Sequence, residues 1–303
     1  MMWNTTRFKI DLLTPKVMGI VNVTPDSFSE SGHHQSSTQA ALAHCEQLLR
    51  EGADILDIGG ESTRPGALPV PLAQELERVL PVVREAVKLG VPVSVDTYKP
   101  AVMQAVLDLG VDIVNDIWAL RWAEPGVALS ATDVVSQHPG CGVCLMHMHG
   151  NPLTMQIAPM TGDVVPQVLQ FLEHHCHELS QLGVQKSRIV IDPGIGFGKT
   201  VAQNFALLAR QRELLNVGYP LLAGWSRKSS LAAVTHLTSD ESLNPTVHAR
   251  MVPSVAAAVL AVERGAAIVR VHDVRETVQA LQVLHAISCT GQQVKNQISR
   301  TGQ

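Results

Sequence analysis

The chain has 303 residues, of which 46% are hydrophobic and 17% charged, and its formal net charge is −4. This composition supports one large core, arranged either as two ordinary domains or as one α/β barrel. The small negative charge provides no basic surface for nucleic acid or for an anionic membrane, and no apolar run reaches the roughly 20 residues that span a bilayer. We therefore expect a protein that acts on small molecules, with no nucleic acid partner and no membrane association.

Short apolar, β-branched runs recur along the chain and predict eight strands. These runs are residues 16–22, 54–59, 92–96, 112–116, 142–147, 188–192, 219–224 and 267–271. Longer stretches with apolar residues at helical spacing lie between them, and several end at a glycine suited to a left-handed C-cap. Those glycines are Gly52, Gly90, Gly110, Gly183, Gly218 and Gly265. The alternation predicts a (β/α)8 TIM barrel. An open doubly wound α/β sheet is the alternative, but no G-x-G-x-x-G follows the first strand.

The domain organisation follows from the even composition of the chain. No linker-like segment divides it, so we predict a single domain over residues 1–288. A flexible C-terminal tail is predicted over residues 289–303, which are polar and lack helical periodicity. The N-terminus has charges inside its apolar part and no small-residue cleavage site, unlike a signal peptide. Five cysteines, an odd number, fit a reducing compartment. A cytoplasmic location is expected.

Polar side chains stand at the C-terminal ends of five predicted strands, where the active site of such a barrel lies. These side chains are Asn22, Asp96, Asn115, Asp192, Arg270 and His272. Any one of them could cap a following helix, but the ends of five strands should converge in space. Arg270 and His272 share one face of the last strand, because successive strand residues alternate. Two adjacent cationic groups suit a phosphate or a carboxylate.

Three other patterns suggest sites that we interpret as structural. GIGFGKT lacks the glycine that a nucleotide-binding P-loop requires, because that position is Pro193. Cys141 and Cys144 would point to opposite faces of a strand and form a poor chelate, although nearby His147 and His149 keep zinc open as an alternative. A helical histidine group is interpreted as a solvated face and consists of His174, His175 and His177.

Eight motifs, in their order and spacing, resemble those of the dihydropteroate synthases of folate biosynthesis. They are MGIVNVTPDSFS, DIGGESTRPGA, SVDTYKP, NDI, CLMHMHGNPLTMQ, DPGIGFGK, SRKS and RVHDV. The resemblance runs from about Met18 to Ile287. It implies condensation of p-aminobenzoate with 6-hydroxymethyl-7,8-dihydropterin diphosphate, which gives 7,8-dihydropteroate and diphosphate. It also implies Mg²⁺ as a helper ion and a homodimer formed through the late helices. The second-loop motif ESTRPGA resembles the sulfonamide-sensitive form.

The resemblance assigns roles to individual residues. The implied pterin-site residues are Asp96, Asn115, Met146, Asp192, Phe197 and Lys228. The implied diphosphate residues are Asn22, Thr63, Arg64, Arg270 and His272, with Asn22 also on the metal side. The implied p-aminobenzoate residues are Phe28, Thr63, Pro65 and Ser229, and Asp26 shares the mobile first loop with Phe28. The residues expected to act in catalysis are Asp96, Lys228, Arg270 and His272.

Two other functions remain open at this point. A pterin-dependent methyltransferase that serves a corrinoid protein would share the Asp/Asn/Asp constellation but would not need SRKS or the Arg270–His272 pair. A non-catalytic paralogue would keep the fold and only bind ligand, which the intact charged loops disfavour. Trp118 and Trp225 are bulky at positions that vary in the family pattern, and burial against a helix is the expected role of each.

Overall fold

The computed structural model describes residues 1–24, 34–64, 66–123, 128–235 and 250–301. Its strands are β1 (Met2–Asn4), β2 (Lys9–Asp11), β3 (Lys16–Asn22), β4 (Ile55–Gly59), β5 (Val93–Asp96), β6 (Ile113–Asp116), β7 (Gly142–Met146), β8 (Ile189–Asp192), β9 (Leu222–Ala223) and β10 (Ile268–Val271). Its α-helices are α1 (His34–Glu51), α2 (Leu72–Ala86), α3 (Pro100–Asp108), α4 (Ala131–Gln137), α5 (Val164–Gln181), α6 (Val201–Ala209), α7 (Gln211–Leu214), α8 (Ser229–Val234), α9 (Met251–Glu263) and α10 (Val274–Thr301).

The main sheet is a parallel barrel of eight strands in the order β8-β7-β6-β5-β4-β3-β10-β9. A bridge between Ile191 and Leu221 joins the two end strands and closes the circle. The predicted TIM barrel is confirmed. The seventh predicted strand is shorter than expected, because Pro220 has no backbone N–H to donate to a ladder. Pro220 still accepts a hydrogen bond from the backbone N–H of Ile191 at 2.9 Å.

The glycines that end the helical stretches have the predicted left-handed conformation. Gly52, Gly90, Gly110, Gly183, Gly218 and Gly265 all have positive φ, between 75° and 103°. Glycine adopts this conformation without the steric cost that a Cβ imposes. Each glycine therefore reverses the chain between a helix and the next barrel strand.

Side chains alternate between the barrel interior and the surrounding helices. On β5, Val93 and Val95 belong to the core shared with the helices, so Ser94 and Asp96 point inward. The lower interior is apolar and forms the barrel-base cluster: Trp3, Ile10, Leu12, Met18, Ile55, Ile113, Cys144, Val190, Leu222 and Ile268. Above this cluster the inward side chains include Asp57, Asp96, Asn115, Asp192 and Arg270, so the charged groups of the interior lie towards the C-terminal ends of the strands.

An N-terminal hairpin, which the sequence did not reveal, covers the base of the barrel. Strands β1 and β2 pair antiparallel. Trp3 is fully buried in the barrel-base cluster, and its indole N–H donates to the backbone carbonyl of Arg188 at 2.9 Å. Strands of three residues are too short for a periodic pattern to predict them.

The C-terminal segment that was predicted to be a flexible tail is helical as far as it is described. The backbone of α10 continues to Thr301, so residues 289–301 extend the last helix. Once a helix has formed, each added residue gains a hydrogen bond, and this segment has no proline to stop it. The flexibility of the segment stays a prediction. Among the described helices, none combines the length and apolarity needed to cross a bilayer.

Candidate active site

Arg270 joins two carboxylates in the upper interior of the barrel. Its Nε donates to Oδ2 of Asp57 at 2.6 Å, and its Nη2 donates to Oδ2 of Asp96 at 2.7 Å. Asp57 is fully buried and Asp96 is 8% exposed. The Oδ1 atom of each carboxylate is buried and has no hydrogen-bond partner among the described residues. Two acceptor atoms therefore remain available for a ligand that carries N–H or O–H donors.

Asp57 is a site residue that was not predicted from the sequence. It lies in the middle of β4 between Leu56 and Ile58, which both belong to the outer core. Alternation in DILDIG places its carboxylate inside the barrel, and an inward acidic residue in an apolar strand was the available indication. Asp57 also accepts a hydrogen bond from Nδ2 of Asn115 at 3.2 Å.

Burial alters the protonation of the inward carboxyls. It raises the pKa of Asp96 to about 7, although the Arg270 guanidinium opposes the shift and the charge of Asp57 adds to it. Burial likewise raises the pKa of Asp192, while the Gly194 amide and the Lys228 ammonium oppose that shift. Desolvation therefore favours the protonated form of Asp96, and Arg270 favours the charged form.

The predicted pterin-site residues lie around this polar layer. Asn115 is the register partner of Asp96, and Met146 is the register partner of Asp192. Phe197 belongs to a buried cluster with Met146 above the barrel. These contacts bring four of the predicted residues to the ends of four neighbouring strands, β5 to β8, and join Phe197 to them.

Lys228, the N-cap residue of α8, lies beside this group. Its ammonium lies 4.4 Å from the centroid of the Phe197 ring. Burial lowers its pKa to about 8, while Asp192 and Asp96 favour the charged form and the Arg64 and Arg270 charges oppose it. Asp192 uses Oδ1 to accept from the Gly194 amide at 2.7 Å, which orients its carboxylate.

His272 differs from the protonated partner of Arg270 that the sequence suggested. Burial lowers its pKa to about 2, and the charges of Arg227, Arg270 and Arg64 contribute. Its Nδ1 lies 3.0 Å from Oγ of Ser226, and its backbone N–H donates to the same oxygen at 3.1 Å. The predicted pair of cations is therefore one cation and one neutral imidazole, because a second charge would be surrounded by guanidinium groups.

Arg227 holds the SRKS motif against the end of the barrel. It has a positive φ of 59°, which is uncommon outside glycine. Its guanidinium donates to both carboxylate oxygens of Asp273, at 3.2 and 2.7 Å. Its backbone N–H donates to Oγ of Ser254 at 2.8 Å. These contacts fix the residue that precedes Lys228.

The loop residues are placed at the mouth of the barrel as far as they are described. Thr63 and Asn22 are half-buried, whereas Arg64 and Ser229 are exposed. The charge of Arg64 lowers the pKa of both Lys228 and His272, so the second loop lies near them. Ser229 is the first residue of α8, as predicted. Three predicted loop residues lie outside the described residues: Asp26, Phe28 and Pro65.

Lys199, the lysine of GIGFGKT, has a structural role in this loop. Its ammonium donates to the carbonyls of Gly194 and Phe197 at 2.8 and 3.1 Å, and lies 2.9 Å from Nδ1 of His147. Burial lowers the pKa of Lys199 to about 7 and that of His147 to about 2. The ammonium is directed into its own loop and not towards a bound phosphate. This agrees with the prediction that GIGFGKT is not a P-loop.

Cys141 and Cys144 do not converge on a metal site, whereas the ligand atoms of His174, His175 and Glu178 lie within 4.8 Å of one another. Cys141 packs in the outer core and Cys144 in the barrel-base cluster, so the two thiols point to opposite faces, and both are free. On α5, the carboxylate of Glu178 lies 2.7 Å from His175 and 3.4 Å from His174. His174 and Glu178 are exposed, which fits the predicted solvated face.

Trp118 and Trp225 lie in different packing environments. Trp225 is 2% exposed and its ring contacts that of Phe205 on α6, as the expected burial against a helix requires. Trp118 is half-buried beside the aromatic ring of Tyr98, with 6.5 Å between centroids.

Comparison with known proteins identifies what this architecture resembles. The family model described as pterin binding enzyme matches residues 18–272. The dihydropteroate synthase of Neisseria meningitidis serogroup B is 47% identical over 289 residues, which cover 94% of this chain and 97% of that protein. The solved structure of Xanthomonas albilineans dihydropteroate synthase with 4-aminobenzoic acid has a TM-score of 0.82 at 46% identity, over 92% of this chain and 95% of that chain.

A second solved structure contains a reaction product. Burkholderia cenocepacia dihydropteroate synthase complexed with 7,8-dihydropteroate has a TM-score of 0.82 at 46% identity. The match covers 96% of this chain and 98% of that chain. The likeness therefore extends over the whole barrel and is not restricted to a motif.

Proposed function

Because the chain belongs to the family of pterin-binding enzymes, we propose that it is a transferase with dihydropteroate synthase activity. It condenses 6-hydroxymethyl-7,8-dihydropterin diphosphate with p-aminobenzoate and yields 7,8-dihydropteroate and diphosphate. One observation carries this assignment: Asp96, Asn115 and Asp192 stand on nearby strand ends, with Lys228 and Arg270 beside them. The relatives named above, one with the product and one with 4-aminobenzoic acid, support it.

The strand-end residues suit recognition of a pterin ring. The edge of such a ring carries adjacent N–H donors, and Asp192 keeps Oδ2 to accept from them while Gly194 orients Oδ1. Met146 and Phe197 supply apolar contact with the faces of the ring. Lys228 has a lowered pKa but remains mostly cationic at neutral pH, so it serves as a donor to ring acceptors.

The reaction breaks the methylene C–O bond to the diphosphate and forms a C–N bond to the amine of p-aminobenzoate, which then loses a proton. Aromatic amines are weak nucleophiles, so departure of the diphosphate must be strongly assisted. The Arg270 guanidinium supplies paired, charge-assisted donors for phosphate oxygens. To bind them it gives up its hydrogen bond to one of the two carboxylates, Asp57 or Asp96. Asp96 lies beside it and stabilises the positive charge that develops on the pterin methylene. The family resemblance implies that the two loops close over that carbon and exclude water from it.

We propose Mg²⁺ as the helper ion and Asn22 as its protein ligand. The amide oxygen of Asn22, at the end of β3, is a hard neutral ligand of the kind that Mg²⁺ accepts. One protein oxygen fits an ion held mainly by substrate phosphates and water. When bound, the ion would neutralise charge on the departing diphosphate.

Assembly and location complete the proposal. We expect a homodimer through the late helices, since α9 and α10 expose Val252, Leu260, Val283 and Ile287. A cytoplasmic location agrees with the free thiols of Cys45, Cys141, Cys144 and Cys176.

A diphosphate-release assay with both substrates tests the activity, with mass spectrometry of the pterin product. We expect release that depends on p-aminobenzoate and yields 7,8-dihydropteroate. Binding of the pterin diphosphate without turnover would identify a non-catalytic paralogue. Methyl transfer from a methylated folate to a corrinoid protein, without diphosphate release, would identify the methyltransferase alternative.

A further inference from the structure

A buried ion cluster lies where the second loop leaves the barrel. Glu61 follows β4 at the start of this loop, Glu75 lies on α2, and Lys99 follows β5. The ammonium of Lys99 donates to Oε2 of Glu61 and to Oε2 of Glu75. The side chains of Lys99, Glu61 and Glu75 are only 7%, 8% and 1% exposed. The loop therefore begins at a residue that binds Lys99 directly and is linked through Lys99 to Glu75 on α2.

The remaining carboxylate oxygens of this cluster are also satisfied. The hydroxyl of Tyr98 donates to Oε1 of Glu61 at 2.8 Å, and that of Thr97 donates to Oε1 of Glu75 at 2.7 Å. All four oxygens thus accept hydrogen bonds, as a buried charge requires. With two carboxylates and one ammonium, the cluster is held together by Lys99 against the repulsion of its acids.

The backbone before Glu61 has little freedom. The carbonyl of Gly60 accepts a hydrogen bond from Arg78 on α2 at 2.9 Å. A Cβ added at Gly60 would lie 2.5 Å from Cγ2 of Val79, so this strand end is pressed against α2. The loop has another attachment farther on, where the Gly66 N–H donates to the Pro152 carbonyl at 3.1 Å. Thr63 and Arg64 lie between these two attachments.

We propose that Glu61 is a positioning residue for the second loop, and that its bonds to Lys99 and Tyr98 place Thr63 and Arg64 at the mouth of the barrel. The inference rests on the proposed function for the identity of the substrate at that loop, p-aminobenzoate. Glu61 does not touch the substrate. It sets the point from which the loop departs, while the pterin site on the strand ends does not depend on it.

The two acids of the cluster provide a matched test. Glu61→Ala and Glu75→Ala each remove one carboxylate and leave Lys99 the other, so both variants keep a buried ion pair. Lys99→Ala is avoided because it would leave two buried carboxylates without a cation, and the variant could fail to fold. Hydrogen exchange of the loop amides is measured on both ligand-free variants, and steady-state kinetics are measured with each substrate varied.

We expect Glu61→Ala to accelerate exchange at residues 62–64 and to raise the KM for p-aminobenzoate by about tenfold, since small misplacements of positioning groups are costly. The KM for the pterin diphosphate should rise less than that for p-aminobenzoate, because only Thr63 and Arg64 of its implied ligands lie on this loop. Glu75→Ala should lower the melting temperature without either loop effect. Equal changes in the two variants, or unchanged loop exchange in Glu61→Ala, would overturn the proposal. Should the wild type prove inactive, the proposed function fails while the exchange result still decides whether Glu61 anchors the loop.

Discussion

Arg270 reaches from β10 to Asp96 on β5, and 2.7 Å separates its Nη2 from the carboxylate Oδ2. The same guanidinium holds Asp57, so one cation balances two acids in the barrel interior. Arg270 was predicted to bind the diphosphate, and it also forms ion pairs with two carboxylates of the barrel interior. Replacing Arg270 should therefore lower both the stability of the fold and the affinity for diphosphate, and the two effects can be measured separately.

The stability effect of Arg270→Ala should depend on pH. Burial already raises the pKa of Asp96 from 3.8 to about 7, so the folded protein holds a proton that the unfolded chain releases, and stability falls as pH rises through that interval. Without Arg270, Asp96 loses the charge that opposes this shift, so its pKa rises further, and Asp57 loses an ion-pair partner. We expect a loss on the order of 3–5 kcal/mol at about pH 8 and a smaller one at about pH 5, where Asp96 can protonate. Urea unfolding at the two pH values measures it, and an equal loss at both would contradict the argument.

The ligand effect of Arg270 should exceed that of His272. Arg270→Ala should weaken binding of the pterin diphosphate by roughly 1.5–3 kcal/mol, as for a hydrogen bond to a charged group, and should reduce the salt dependence of binding. His272 is neutral, so His272→Gln should cost only about 0.5–1.5 kcal/mol and leave the salt dependence unchanged. Calorimetry with the diphosphate and with the bare pterin alcohol checks both variants. A similar loss for the two ligands in Arg270→Ala would argue against a diphosphate role.

Asp192→Asn should remove pterin recognition and leave the fold intact. The asparagine Oδ1 can still accept from the Gly194 amide, so the loop keeps its hydrogen bond. Its Nδ2 would face the pterin donors, and a buried mismatch of this kind costs roughly 1–3 kcal/mol. Pterin titration and thermal melting are compared with Asp108→Asn, which alters an exposed acid at the end of α3. Unchanged pterin affinity in Asp192→Asn would show that this carboxylate is only structural.

His147 should make the fold sensitive to acid. Burial and the Lys199 charge lower its pKa from 6.5 to about 2, so below about pH 6.5 the unfolded chain binds a proton that the folded chain does not. The stabilisation is present above that pH and is lost at about 1.4 kcal/mol per pH unit as the pH falls. His147→Asn can still accept from Lys199 and should have a shallower slope. Stability is measured from about pH 7 to about pH 4, with His174→Asn on the exposed face of α5 as the control. If both variants keep the wild-type slope, His147 is not the titrating group.

The sequence by itself determined the repetitive part of this protein. Strand–helix alternation and glycine C-caps predicted the barrel, because these features depend on local periodicity and on backbone conformation. Asp96, Asn115 and Asp192 were also predictable, since strand ends of a parallel barrel converge at one rim. The ligand-binding and catalytic roles of individual residues came from the motif resemblance, because periodicity predicts only secondary structure.

The tertiary structure alone decided which groups meet across the barrel and what charge they carry. Arg270 and Asp57 are separated by 213 positions in the chain, and nothing local to either indicates the other. The neutrality of His272 arises from burial among arginines contributed by three separate segments. The ion pair of Glu61 and Lys99 likewise joins residues from two segments, one after β4 and one after β5. Hydrogen bonding and desolvation depend on three-dimensional distance, so these properties became readable only once the barrel had brought the strand ends together.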